Sequence, residues 1–322
     1  MTPNGEELDP LEASLSIFND DFQAVVRKEA LKEELGGGES KFYPYFRRFG
    51  FEWEPFSDYG HMRFNPYAAL IFDLVADKAR QVIRSLDLPV VEVKGTAFFD
   101  MNMEAVKEHA KLYGDRLYVV ETDKGEMVLR YAACHQQFAM IKDWPLSYRT
   151  MPFGAFEIAD SYRLEKSGEV ELCFRLRRFF MPDLHVFAKD LAEAKEWFMR
   201  RPREIGTVQI DVGNAERFEI KYVGEDGAER YPVILHTAII GGIERYIYTL
   251  FDTALRREKP MFPVWVSPVQ VRVIPVASDF LSFSLELAEM IEEKGYRVDV
   301  DDTNRSLSRK IVDAEKEWVP FI

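Results

Sequence analysis

Residues 161–186 read SYRLEKSGEVELCFRLRRFFMPDLHV, and the fold turns on this stretch. Two runs with β-branched and aromatic character flank Lys166-Ser167-Gly168-Glu169, which predicts a hairpin between Tyr162 and Phe180 with Gly168 where φ > 0 is needed. On the second arm, strand alternation puts Leu172, Phe174, Leu176 and Arg178 on one face and Cys173, Arg175, Arg177 and Phe179 on the other. The second face sets guanidinium groups beside an aromatic ring, next to Arg163 and Glu165 on the facing arm. In a chain of formal net charge −13, such a face suits a polyphosphate attached to a flat ring, because guanidinium forks grip phosphate oxygens and a phenyl ring stacks on a base. An ordinary amphipathic hairpin with solvated arginines carries the same pattern.

With 322 residues, 47% of them hydrophobic and 14% aromatic, the chain can bury a sizeable core and is long enough for two domains. No run approaches the ~18 apolar residues of a membrane helix, which argues against a membrane partner. The opening MTPNGEELDPLEAS lacks the basic and apolar regions of a signal peptide, so a cytoplasmic location is expected. Two cysteines, Cys134 and Cys173, are too few for a disulfide framework and leave a thiol free for a metal. A pI near 5.1 excludes a protein coated in nucleic acid while allowing a local basic strip.

Residues 8–35 mix apolar positions with Glu and Lys, and Gly36-Gly37-Gly38 ends any helix they form, so residues 1–60 read as an N-terminal extension. Within it, Trp53, Phe56 and Tyr59 are expected to pack as core. NPYAALIFDLVADKARQVIRSL, Asn65 to Leu86, predicts a helix capped by Asn65 with Pro66 in its first turn, followed by a strand over Pro89 to Val93. TVQIDVGNAERFEIKYVGEDGAERYPVILHTAIIGGIERYIYTLFD, from Thr207, reads as strand, Gly-Glu-Asp-Gly turn, strand and a helix beginning after His236. Gly241-Gly242 inside that helix would cost roughly 1 kcal/mol each relative to Ala unless a ligand or backbone comes close. From Met261 a β-α-β-α-β alternation implies a small, largely parallel sheet: a strand from the Pro-rich FPVWVSPVQVRVIPV, a helix over Asp279 to Lys294, a strand over Tyr296 to Val300, a helix over Asn304 to Lys316 and a strand opening at Trp318.

The wording R-x-E-x-S-G, then R-x-R-x-F, then D-x-H-x-F resembles motif 2 of class II aminoacyl-tRNA synthetases, and the flanking residues resemble the threonyl branch. The resemblance implies an α+β fold: an antiparallel catalytic sheet with flanking helices over 61–262, then part of an α/β anticodon-binding domain over 263–322. It implies ligation of threonine to its tRNA through threonyl adenylate, with Mg²⁺ accompanying ATP. Arg163 would bridge the threonine carboxylate and the α-phosphate, Glu165 would read the adenine amino group, Phe179 would stack on the ring and Arg175 would hold the γ-phosphate. Arg245, in the motif 3-like G-G-I-E-R, would sandwich the adenine and clamp the γ-phosphate, making Arg163 and Arg245 the catalytic pair. Gln209 matches a nucleotide contact, and Glu204 stands where the bacterial form has Gln. Cys134, His185 and His236 fall on the ligand positions of a catalytic Zn²⁺, a three-residue set that leaves a fourth tetrahedral position open. Asp183 would accept the proton of the threonine hydroxyl. His135, beside Cys134 but matched to no ligand, is expected behind the metal or at the surface.

The resemblance also carries departures and partners. Thr96 stands where motif 1 has its proline, so the homodimer that motif 1 builds is an expectation from the helix and strand alone. The run Arg200-Arg201-Pro202-Arg203 joins segments that related enzymes connect by a longer path containing a substrate-holding strand. Residues 1–60 hold no His or Cys, which resembles archaeal forms whose editing activity sits on a separate protein acting in trans. The alternative reading is a synthetase-like protein that grips tRNA or a partner without ligase activity; a sister synthetase for another amino acid would lack the zinc trio.

Overall fold

The computed structural model describes residues 42–200 and 205–322, together with residues 23, 26 and 27, and of residues 200 and 205 only the backbone. The chain divides into two compact units, Met1–Glu39 and Ser40–Ile322. The expected helix over 8–35, the Gly36–Gly38 break and the join at 201–203 lie almost wholly outside the described residues. All the helices and strands from Tyr43 onward belong to the second unit.

Helix α1 (Tyr43–Arg48) leads into the antiparallel pair β1 (Phe51–Trp53) and β2 (Met62–Phe64). Helix α2 (Pro66–Arg84) starts after Asn65 as expected, although the Asn65 side chain makes no cap hydrogen bond and reaches Glu52 instead. Next come β3 (Val90–Glu92), β4 (Phe98–Asp100), α3 (Glu104–Ala110), β5 (Val119–Thr122), β6 (Gly125–Leu129) and α4 (Cys134–Ile141). The long strands β7 (Phe153–Tyr162) and β8 (Arg178–Ala188) are followed by α5 (Leu191–Arg200), β9 (Ile205–Asp211) and α6 (Asn214–Arg217). A short hairpin, β10 (Tyr222–Val223) and β11 (Glu229–Arg230), precedes β12 (Val233–Ile239) and α7 (Ile243–Leu255). The chain closes with β13 (Val271–Val273), α8 (Leu281–Glu292), β14 (Val298–Val300) and α9 (Leu307–Lys316).

The central sheet has five strands in the order β3-β7-β8-β12-β9, antiparallel except for β3 against β7. On one side, α2 and α5 bury Ala79, Val82 and Ala194 against Leu184, Val186, Leu235 and Ile239 of β8 and β12. Because strand residues alternate faces, Phe179, Asp183, His185 and Phe187 of β8 point to the other side. A second sheet, β4-β6-β5, is tied to that side by Arg130, the residue after β6, which hydrogen-bonds Glu157 of β7. The β13 and β14 strands pair in parallel, as expected, and Val271 bridges Phe321 in parallel. Trp318 joins Phe49, Phe251 and Phe262 in one aromatic cluster with Phe46 and Phe51, so the C-terminal segment shares a core with α1 and α7.

Three expectations give way. Tyr162 and Arg178 end the paired strands, and residues 163–177 form a loop around the one-turn helix Ser167–Glu169 rather than two hairpin arms. A tight turn, with Arg175 N–H on Glu171 O at 2.9 Å, breaks the alternation, so neighbouring Leu172 and Cys173 are both buried. The positive φ falls on Cys173, at 61°, and not on Gly168. Gly241 and Gly242 precede α7 rather than sitting inside it; Gly241 takes φ +74° and lies against Gly206, where a Cβ would come within 3.1 Å of its backbone. Of the three aromatics expected in the core, Trp53 packs there, whereas Phe56 is 97% exposed and Tyr59 51% exposed.

Candidate active site

The register of the sheet assembles the site. His185 and His236 are direct partners across β8 and β12, and Gln209 faces His236 from β9. Cys134 opens α4, whose start the loop after β6 carries to the same face. The inner donor atoms of Cys134, His185 and His236 all lie within 4.8 Å of one another. His185 Nε2 is 3.0 Å from His236 Nδ1, and Cys134 Sγ is 3.6 Å from the same nitrogen. Donors around a tetrahedral zinc, with bonds of about 2.0–2.1 Å to nitrogen and about 2.3 Å to sulfur, would sit about 3.3 and about 3.6 Å apart.

The outer edges of the two rings fix their protons. His185 Nδ1 lies 2.8 Å from Gln137 Oε1, and His236 Nε2 lies 2.7 Å from Asp211 Oδ2. An amide oxygen and a carboxylate can only accept, so both outer nitrogens donate and both inner nitrogens turn lone pairs toward each other. The Cys134 thiol proton can satisfy only one of these lone pairs, whereas a cation between the three donors would satisfy all of them, so the donor set fits a divalent metal. Burial pushes the Cys134 thiol well above its ordinary range, with Asp183 adding to it, and burial holds His185 well below its own. Burial likewise lifts Asp183 up to about 7, with Glu157 adding to it and His236 and Arg130 opposing. These groups resist charge by themselves, and a cation reverses that balance.

Beneath Asp183 lies a buried ion pair that the sequence does not reveal. Glu157, opposite Asp183 in the β7–β8 register, takes Arg130 Nη1 at 3.0 Å and Nη2 at 2.9 Å, and the Gly95 N–H at 2.8 Å. Both side chains are almost wholly buried. His135 is buried too, its ring packed at a tilt against His109, Phe99 and Phe218, and it is not one of the three converging donors.

Along β8 from His185, Phe179 stands six residues away, about 20 Å at strand rise. Arg163 lies over its ring at 5.0 Å and over Tyr113 at 5.1 Å, and donates from Nε to Tyr131 O at 3.2 Å. Arg245 donates to Phe174 O at 2.8 Å and lies over that ring at 5.1 Å. Partial burial depresses Arg245, and the neighbouring Arg175 and Arg163 depress it further, so three guanidinium groups converge where an anion would relieve them. Glu165 is buried against Arg116 Nη1 at 3.0 Å, a partner not foreseen, and Arg175 reaches Glu169 at 3.4 Å. Arg177 braces this loop: its Nε donates to Glu165 O and its Nη1 to Asp58, each at 2.9 Å, while its N–H meets Gly60 O. Gly60, at φ +106°, leaves that space because a Cβ there would come within 2.8 Å of the Arg177 side chain. Gln209 is exposed on β9, and Glu204 lies outside the described residues.

The antiparallel sheet carrying a motif 2-like loop, with a candidate cation site at one end and an arginine cluster at the other, has the fold of class II aminoacyl-tRNA synthetases. It matches the RNA binding domain of threonyl-tRNA synthetase from Cryptosporidium parvum with a TM-score of 0.74 at 19% identity, covering 85% of this chain and 86% of that one. Giardia lamblia prolyl-tRNA synthetase, solved with prolyl-adenylate, matches with a TM-score of 0.72 at 15% identity, covering 87% of this chain and 68% of that one. The family model for the anticodon binding domain matches residues 270–322.

The chain is similar in sequence to proteins named threonine–tRNA ligase. It is 46% identical to those of Pyrobaculum calidifontis and Thermofilum pendens over alignments of 396 residues that cover the whole chain and 65% of each relative. The chain therefore spans just under two thirds of the curated relatives it matches, and alignments longer than its 322 residues mean that those relatives carry residues it lacks.

Proposed function

We propose that this chain activates threonine with ATP to threonyl adenylate and transfers it to the 3′ end of threonine tRNA. The observation that carries the proposal is the convergence of Cys134, His185 and His236 beside Asp183, on the same sheet face as Phe179. Cys134, His185 and His236 would hold one Zn²⁺ per chain. When bound, the zinc would act as a Lewis acid toward the amino group and hydroxyl of the amino acid. Asp183 would accept the proton of that hydroxyl. At the other end Phe179 would stack the adenine, Glu165 would take its amino group, and Arg175 and Arg245 would hold the γ-phosphate, with Mg²⁺ accompanying the ATP. Arg163 would bridge the carboxylate and the α-phosphate, so that the carboxylate attacks phosphorus in line and pyrophosphate leaves; no covalent nucleophile is needed.

Residues 270–322, matching the anticodon binding domain, support tRNA as the second substrate. The helix α2 and strand β3 support a homodimer built on that face, and a cytoplasmic site of action goes with the reading; no helix among the described residues is long and apolar enough to cross a membrane. A second reading, a tRNA-binding protein without ligase activity, is favoured by the residues that the relatives carry and this chain lacks. Threonine-dependent exchange of pyrophosphate into ATP separates the two: exchange supports the ligase, and none with metal-loaded protein leaves the binding reading.

A further inference from the structure

The two histidines of the cation site are backed by unlike partners. Asp211 ends β9, and its four acceptor positions are all taken. Oδ1 accepts the N–H groups of Gly213 and Asn214, each at 2.9 Å, and Oδ2 accepts the Asn214 side-chain amide together with His236 Nε2. The start of α6 thus pins this carboxylate in one orientation, diagonally across the sheet from His236. Gln137 is fully buried and stands one helical turn beyond Cys134 on α4, so a single helix brings both the thiol and the partner of His185. Its Oε1 holds His185 Nδ1, and its Nε2 has no partner among the described residues.

We propose that Asp211 and Gln137 are positioning residues that split the surroundings of the metal into an anionic half and a neutral half. They fix opposite tautomers, so that His236 ligates through Nδ1 and His185 through Nε2, and they make His236, backed by a fixed carboxylate, the stronger donor. The proposal rests on the metal reading of the site. A carboxylate behind a ligating imidazole raises the basicity of the ring and holds its angle, and losing such a partner typically lowers metal affinity ~10–100-fold. Gln137 orients His185 without adding charge, which keeps the net charge of the donor set near that of one thiolate.

The test uses the full chain with Zn²⁺ and, as a spectroscopic probe, Co²⁺. Competition against a chromogenic chelator should give one site per chain in the unaltered protein, and Asp211→Asn should weaken that site ~10–100-fold while still filling one site at saturation. In parallel, ¹⁵N and ¹H signals of the histidine rings in the unaltered zinc-loaded protein should show His236 metallated at Nδ1 with its proton on Nε2, and His185 the reverse. Equal affinity of Asp211→Asn and the unaltered chain overturns the proposal, as does the same tautomer on both rings, which can be read even if the variant fails to fold. No zinc binding by the unaltered chain would instead remove the metal reading itself.

Discussion

The carboxylate of Glu244, 2% exposed, takes the backbone N–H of Phe180 with both of its oxygens, at 3.1 and 3.0 Å. Glu244 is the residue before Arg245 and Phe180 the residue after Phe179, so one buried acid ties the strand that carries Phe179 to the helix that carries Arg245. Burial lifts Glu244 from 4.5 up to about 7, against the lowering effect of the Phe180 N–H. Between those values the folded acid keeps a proton that the unfolded chain releases, so the native state binds more protons and its stability falls as pH rises. The contribution is fully present below about pH 4.5 and lost through about pH 7, a change of roughly 3 kcal/mol. Glu244→Gln keeps an acceptor for Phe180 and should remove this part of the pH profile in denaturant titrations at about pH 5 and about pH 8.

Glu157→Ala should be among the most destabilising single changes. It strands the buried guanidinium of Arg130 and the Gly95 N–H together, and breaking a buried ion pair by removing one partner costs about 3–5 kcal/mol. Chemical unfolding measures this directly; a loss under about 1 kcal/mol would mean that water reaches Arg130.

How much of the fold and the site is legible in the sequence depends on how far apart the interacting residues lie. The helix from Pro66 and the parallel pairing of the C-terminal strands follow from patterns within one segment. Cys134, His185 and His236 are placed by resemblance alone, since nothing in their spacing makes them neighbours until β8 and β12 pair. Asp211 is within reach: it stands two residues after Gln209, and strand alternation puts both on the face of His236. Arg116 is not, because its contact with Glu165 spans 49 residues across a loop. The alternation expected over residues 171–179 fails for a local reason, the tight turn at Glu171–Arg175, where a positive φ falls on a cysteine and gives no signal in the sequence.

Arg163→Ala should act on the chemical step more than on ATP binding. Charge builds on the α-phosphorus and the leaving pyrophosphate, and losing one preorganised donor at such a site costs ~10²–10³ in rate. In steady-state exchange kinetics kcat should fall by that factor with KM for ATP little changed; a change in KM alone would assign Arg163 to uniform binding.

Asp183→Asn separates hydroxyl recognition from metal binding. The variant should keep its zinc but lose about 10–100-fold in activation of threonine and of serine alike, the worth of a hydrogen bond to a charged acceptor. Metal content by elemental analysis together with exchange rates checks both halves.

The central claim is that a cation held by Cys134, His185 and His236 reads a hydroxyl, and it is tested most directly by pyrophosphate exchange with threonine and its isostere valine. A site built around a polar group rejects the analogue lacking it by ~10⁴. The zinc-loaded chain should exchange with threonine and be nearly silent with valine, and chelator-stripped chain should lose the threonine signal and regain it on adding Zn²⁺. Valine exchanging as well as threonine, or threonine exchange undiminished in fully stripped protein, would contradict the account.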